Sequence, residues 1–217
     1  MVFRKMGITA ALALFVVLPA LNGCSHLPYQ SAANISGHSM SVQKNALKVA
    51  GRVDSTMAAM DALINKPSGS LGTDYKAFCD KLSTLKSGYS DLKDAISNVS
   101  SGQSKYMAAW EKQIQSIDSP DIQAVAKSNY SNAKEDFSRF TSRAATTESS
   151  GSKLIAYLNN MRKYLATDLS ASGIHGASGL LGKAKSRAAN FKHNLGRLGK
   201  DATRLSNDLK PTAGTGN

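Results

Sequence analysis

Residues 75–99 read YKAFCDKLSTLKSGYSDLKDAISNV, and the order of apolar side chains within that stretch decides the fold. Tyr75, Phe78, Leu82, Leu85, Tyr89, Leu92, Ile96 and Val99 follow one another in strictly alternating steps of three and four. A half-buried strand would need steps of two. On a helix of 3.6 residues per turn these side chains form one narrow stripe, the seam of a coiled coil. The stretch is an amphipathic helix that must bury one face against a partner.

Working outward, the same register lands on Gln103, Tyr106 and Trp110, with Met107, Ile114 and Ile117 on or beside that face. Ser100-Ser101-Gly102-Gln103 has the composition of a loop, yet an interrupted helix would have no reason to keep phase across it. One helix is expected over about 73–118, softened near Gly102, where glycine costs about 1 kcal/mol relative to alanine. Toward the N-terminus, Val42, Ala46, Val49, Val53, Met57, Met60 and Ile64 form a seam that Lys66-Pro67-Ser68-Gly69 ends, so a first helix is expected over about 39–66. Ser119-Pro120 marks a corner: Ser119 offers an N-cap and Pro120 suits the first helical position. A third seam runs Ala126, Tyr130, Ala133, Phe137, Phe140, Ala144 and, still in phase, through Thr147 and Gly151 to Leu154, Leu158, Met161 and Leu165. One kinked helix to about residue 168 is favoured over two short ones. Gly173, Gly176, Gly179 and Gly182 recur every third residue and are expected to form a second corner. Beyond it, Leu181, Ala184, Ala188, Phe191, Leu195, Leu198, Ala202, Leu205 and Leu209 define a fourth helix over about 180–209, followed by a disordered tail at 210–217.

The expected fold is all-α: an elongated antiparallel helical bundle or coiled coil of four main helices, the second and third forming a long hairpin. At 1.5 Å per residue those two are about 70 Å long, and the first and fourth about 40 to 45 Å. The short helices therefore lie along the base, with a two-helix hairpin above and Ser119-Pro120 at its tip. Met107, Trp110, Ile114, Ile117 and Ile122 are then the apolar residues least covered by a full bundle. They either zip the hairpin together or form a protein-interaction surface.

The N-terminus carries Arg4 and Lys5, an apolar run from Gly7 to Leu18, then Pro19. A span needs roughly 20 apolar residues, so this run reads as an export signal. Leu21-Asn22-Gly23-Cys24 resembles the lipobox of bacterial lipoproteins. That resemblance implies a signal peptide at 1–23 and acylation of Cys24 with chains such as palmitate. Residues 25–38 mix Ser, Ala, Asn, Gly and one Pro with no periodicity, so a flexible tether is expected over 24–38, carrying the 39–209 helical domain. Ser25 rather than an aspartate follows the cysteine, which implies the outer membrane facing the periplasm; simple secretion to the periplasm is the alternative. Lipidation leaves Cys79 as the one thiol, expected to be a packed side chain.

Charge is distributed unevenly. The chain has 27 Lys and Arg against 15 Asp and Glu, a formal +12. Residues 24–150 hold 14 bases and 12 acids, whereas 151–217 hold 11 bases and three acids, Asp168, Asp201 and Asp208. On the fourth helix Lys183, Lys185, Arg187, Lys192, Arg197, Lys200 and Arg204 all fall off the apolar seam. They form either a solubilising face or a surface for an anionic envelope component: anionic lipid, lipopolysaccharide or peptidoglycan. Nucleic acid is not expected as a partner, because an export signal removes the chain from it.

Residues for catalysis are sparse. His26, His38, His175 and His193 never stand three or four apart, the spacing with which one helix binds zinc. The serine-rich runs have no nearby base, and the glycine run follows no strand, so it is not a phosphate loop. No enzyme activity, metal or cofactor is expected.

The stretches Asp74-Tyr75 through Leu92, Tyr106-Met107-Ala108-Ala109-Trp110-Glu111, Asn129-Tyr130 with Glu135 and Phe137, and Leu165 through Leu180 together resemble an exported helical family, domain of unknown function 2959. The resemblance implies long helices and export and transfers no site. Function is expected to be that of a non-enzymatic, lipid-anchored periplasmic spacer or interaction module. The alternative is an adaptor, or a self-assembling homo-oligomer, that binds through the hairpin tip.

Overall fold

The computed structural model of the protein describes residues 28–67 and 69–210, and they form four helices: α1 Pro28–Asn65, α2 Leu71–Gln115, α3 Pro120–Thr167 and α4 Ala171–Asp208. Each helix packs against its neighbours in sequence, and α4 closes back on α1. Asn45 donates to the Asp91 carbonyl, Arg52 to that of Thr84 and Thr56 to that of Lys81, so α1 numbers rise as α2 numbers fall. The pairs Tyr89 with Glu148, Tyr157 with Leu180 and Lys192 with Asp54 run the same way across the other three interfaces. All four neighbouring pairs are antiparallel, the up-and-down arrangement that short connections impose.

The seams meet on the bundle axis. Phe78, Leu82, Leu85 and Leu92 of α2, Phe137, Phe140, Leu154 and Leu158 of α3, Phe191 and Leu198 of α4, and Val42, Val49, Val53 and Met60 of α1 are all essentially inaccessible to water. Burying each such side chain contributes about 1.5–3 kcal/mol. Hydroxyls then set the register between helices. Tyr75 donates to the Arg162 carbonyl at 3.1 Å, Tyr89 to that of Glu148 at 2.6 Å and Tyr157 to that of Leu180 at 3.1 Å. Burial pushes the Tyr89 hydroxyl above its usual range, which keeps it a donor.

The expected continuity of α2 and α3 holds, and the third dimension supplies the reason. At Gly102 an added Cβ would lie 2.8 Å from Ile35 Cγ1, and at Gly151 it would lie 2.6 Å from a Tyr89 ring carbon and 2.8 Å from Phe191. Neither glycine breaks its helix; each lets a neighbouring helix come close.

Three expectations are corrected. The tether does not extend to residue 38, because α1 begins at Pro28 and Ile35 is fully buried. Ala32, Ile35, Ser39 and Val42 continue the three-and-four spacing with small residues that read as linker. The fourth helix begins at Ala171, nine residues before the expected start, with Gly173, Gly176, Gly179 and Gly182 inside it. The corner is Asp168-Leu169-Ser170, where the Ser170 hydroxyl caps the helix by accepting from Gly173 N at 3.2 Å. Gly173 leaves space for the Asp168 carbonyl and Gly176 for the Tyr164 hydroxyl, while Ile174 and Ala177 carry the seam through the run. Ser119, expected as a side-chain cap, makes no such bond, although Pro120 does open α3.

With 38 residues each, α1 and α4 are about 57 Å long, against about 68 and 72 Å for α2 and α3. The two-helix hairpin is therefore short, little more than the residues between Trp110 and Tyr130. At the base, Gly69 adopts φ +98°, the left-handed conformation that glycine reaches without steric cost. Cys24, the signal segment and residues 211–217 lie outside the described residues.

Candidate functional site

The seven cations of α4 divide into two sets. Lys185 and Lys192 turn toward α1, where their ammonium groups donate to Asp61 Oδ1 and Asp54 Oδ1, each at 2.6 Å. Arg204 turns toward α3, its guanidinium 3.4 Å from Asp136 Oδ1 and 3.6 Å from Asp208 Oδ2. Arg187 lies over the Tyr157 ring at 5.0 Å from its centroid, a cation–π contact. Lys183, Arg197 and Lys200 are exposed and make no ion pair among the described residues. The hydrogen bond from Lys185 holds the Asp61 carboxyl below the usual carboxylate range.

One ion pair is more protected than these. Arg143 Nε sits 3.2 Å from Asp201 Oδ2 between α3 and α4, and both side chains are one-fifth exposed. Beside it a polar layer crosses the core: Thr147 Oγ1 reaches the Arg143 and Asn194 carbonyls, and Asn194 Nδ2 donates to Ser150 Oγ at 3.1 Å. The register of α3 against α4 therefore rests on polar contacts that fit in one alignment only.

The five tip candidates are not brought together on one open surface. Ile114 is buried, Met107, Trp110 and Ile117 are half-buried, and Ile122 is 61% exposed. Trp110 packs edge-on to Tyr130 with ring centroids 5.7 Å apart and against Tyr106 at 5.3 Å, and Tyr106 reaches Phe137 at 6.2 Å. These rings hold α2 to α3 at the end of the bundle, beside Leu205 and Leu209 from the end of α4. Val125, 62% exposed beside Ile122, belongs to the open part of the tip and lies off the seam that guided the sequence analysis.

Cys79 is half-buried on α2 beside Tyr75. Among the described residues no group of three or more His, Cys, Asp or Glu side chains stands close enough to hold a metal ion. No described helix is long and apolar enough to cross a membrane.

A groove that no motif in the sequence announces runs between α1 and α4. Its volume is about 670 Å3, with Ala46, Leu47 and Ala50 on one side and Leu195, Gly196 and Gly199 on the other. Leu47 is 67% exposed, the largest exposure of any large apolar side chain among the described residues. The available signal was the placement of Met40 and Leu47 off the α1 seam, on a helix whose other large apolar residues follow it.

No curated protein and no solved structure matches the chain. The model of one family matches residues 38–204, a span that includes most of α1 and α4 and all of α2 and α3. The chain belongs to the family described as protein of unknown function DUF2959.

Proposed function

We propose that this protein is a lipid-anchored, non-enzymatic module of the bacterial cell envelope. Cys24 carries the acyl chains, and the outer side of α4 meets an anionic envelope component. The observation that carries the proposal is the exposure of Lys183, Arg197 and Lys200, which have no counter-ion among the described residues while the other α4 cations are engaged within the fold. Cations without an internal partner keep their full attraction for a polyanion, screened over about 10 Å at 0.1 M salt. With α1 starting at Pro28, the linker from Cys24 is short, about 13 Å when extended. The bundle would then be held close to the membrane and act as a spacer of defined length.

Two measurements test the proposal. Cys24→Ala should release the protein from the membrane fraction; a variant that stays membrane-bound with its signal removed as before would overturn the anchor. Replacing Lys183, Arg197 and Lys200 together by Gln should reduce co-sedimentation with purified cell wall or anionic vesicles and flatten its salt dependence. Unchanged sedimentation rejects the anionic partner. Exposure of Ile122 and Val125 favours a second reading, an adaptor or self-assembling subunit that binds through the tip. Photo-crosslinking from position 110 should then yield a discrete protein adduct.

A further inference from the structure

The groove between α1 and α4 has a feature that the packing of this chain leaves unexplained. Glycine is the poorest helix former after proline, and Gly196 and Gly199 stand in the interior of α4. A Cβ at Gly196 would meet nothing within 4 Å, and one at Gly199 would meet only Gln43 Cγ at 3.9 Å. Gly102 and Gly151, in contrast, have their space filled by Ile35, Tyr89 and Phe191. No described residue uses the space above Gly196 and Gly199. It deepens a groove of about 670 Å3, within the range of roughly 300–1,000 Å3 that small-molecule sites occupy.

The walls define what could lie there. The floor is aliphatic, and Leu47 stands exposed along one edge with Met40 beyond it. With Lys192 paired to Asp54 and Arg204 to Asp136 and Asp208, the unpaired charge around the groove is of one sign. Lys192, Lys200 and Arg204 line it from α4, Lys44 and Lys48 flank Leu47 on α1, and Asp208 is the one acid among these lining residues. Lys44, Lys48 and Lys200 have no ion pair among the described residues; Lys200 lines the groove, and Lys44 lines the adjoining hollow that shares Gln43 and Leu47 with it. A second copy of the chain seated on this face would set these cations against one another, a juxtaposition that costs several kcal/mol. An aliphatic floor with a cationic rim is complementary to an apolar chain that carries an anionic head.

We propose that the groove seats the acyl chain of a single-chain anionic phospholipid, with its phosphate held by Lys200 and Lys44. The proposal rests on α4 being an anion-facing helix and specifies the anion as a lipid.

The test uses the full chain carrying Cys24→Ser, so that no acyl chain of its own competes, and calorimetric titration with lysophosphatidylglycerol below its micelle concentration. Saturable one-to-one binding is expected, with lysophosphatidylcholine weaker by about threefold or more for loss of the net head-group charge. Gly196→Leu fills open space, so its melting temperature should not fall, while its affinity drops about tenfold or more as the chain loses its contacts. Leu47→Gln removes the groove wall without filling it and should weaken binding in the same sense. Absence of saturable binding overturns the proposal, and so does unchanged affinity in Gly196→Leu. A dimer in sedimentation velocity that Gly196→Leu dissociates also overturns it and assigns the groove to a second copy. Lys183 and Arg197 do not line the groove, so replacing these two by Gln should lower sedimentation with cell wall or vesicles yet leave the lysolipid titration unchanged. Failure of that sedimentation arm alone rejects the envelope surface, and failure of the titration alone rejects the groove.

Discussion

The two long sides of this bundle are built on different principles. Between α2 and α3, and from both onto α4, large rings fill the space: Tyr89 meets Phe191 edge-on with centroids 5.9 Å apart, and Tyr106, Trp110, Tyr130 and Phe137 follow toward the tip. Glycine appears there at Gly151, where the rings of Tyr89 and Phe191 occupy the place of its missing Cβ. Between α1 and α4 the residues are small, the interface is bridged at its edge by Lys185 with Asp61 and Lys192 with Asp54, and glycine appears where nothing needs the space. The space beside Gly151 is filled, and the space beside Gly196 is open. The same residue type therefore means opposite things on the two sides, and substitution should separate them by sign.

The largest effect is expected on the packed side. Phe191→Ala should cost about 3–5 kcal/mol in chemical denaturation, because a fully buried ring against Tyr89 and Gly151 leaves a cavity that the helices cannot close. A loss below about 1 kcal/mol would contradict the contrast. Gly151→Ala should cost about 1–3 kcal/mol by overpacking against Tyr89 and Phe191. On the open side, Gly196→Ala should reverse the sign and raise stability by about 0.5–1 kcal/mol, since the helix gains a better former and the new methyl meets nothing. If both glycine variants shift the denaturation midpoint in the same direction, the distinction between the two sides fails.

A polar defect offers a finer test. Ser39 is fully buried, and its hydroxyl has no hydrogen-bond partner among the described residues. Ser39→Ala should stabilise the fold by about 1 kcal/mol, as removing an unsatisfied group relieves its desolvation cost. The smallest effect belongs to the bridged edge. The Asp61 carboxyl is held below its ordinary value by Lys185, so its contribution is present above the unfolded value near 3.8 and is lost as pH falls through the lower folded value. In wild type, stability should fall more steeply on acidification below about pH 4 than in Asp61→Asn. Matching acid-unfolding curves for the two proteins would show that the bridge adds nothing.

Much of the bundle was legible because helix signals are local. The phase shared by Val99, Gln103, Tyr106 and Trp110 carried α2 through a loop-like run, and that of Ala144, Thr147, Gly151 and Leu154 carried α3 through another. Where the signal failed, small residues were the cause. Ala32 and Ile35 are too sparsely apolar to announce α1, and four glycines at every third position conceal the first turns of α4. In both places a segment with little propensity of its own is helical because its neighbours bury it, Ile35 against Gly102 and Gly176 beneath the Tyr164 hydroxyl. The candidate site was less legible. Sequence placed seven cations off the α4 seam, but not which of them Asp54, Asp61, Asp136 and Tyr157 engage, and it left the α1–α4 groove unseen.

The order of apolar residues along the chain was sufficient to determine an all-helical bundle, its four members and two of its corners, because a helical stripe is written within a few residues of itself. Only the tertiary structure decided which glycines hold a neighbour and which lie open, which cations are spent within the fold, and that Leu47 stands beside a groove. Those properties depend on what faces a residue from another helix, tens to more than a hundred positions away, and the alignment of two helices is set jointly by all the contacts between them.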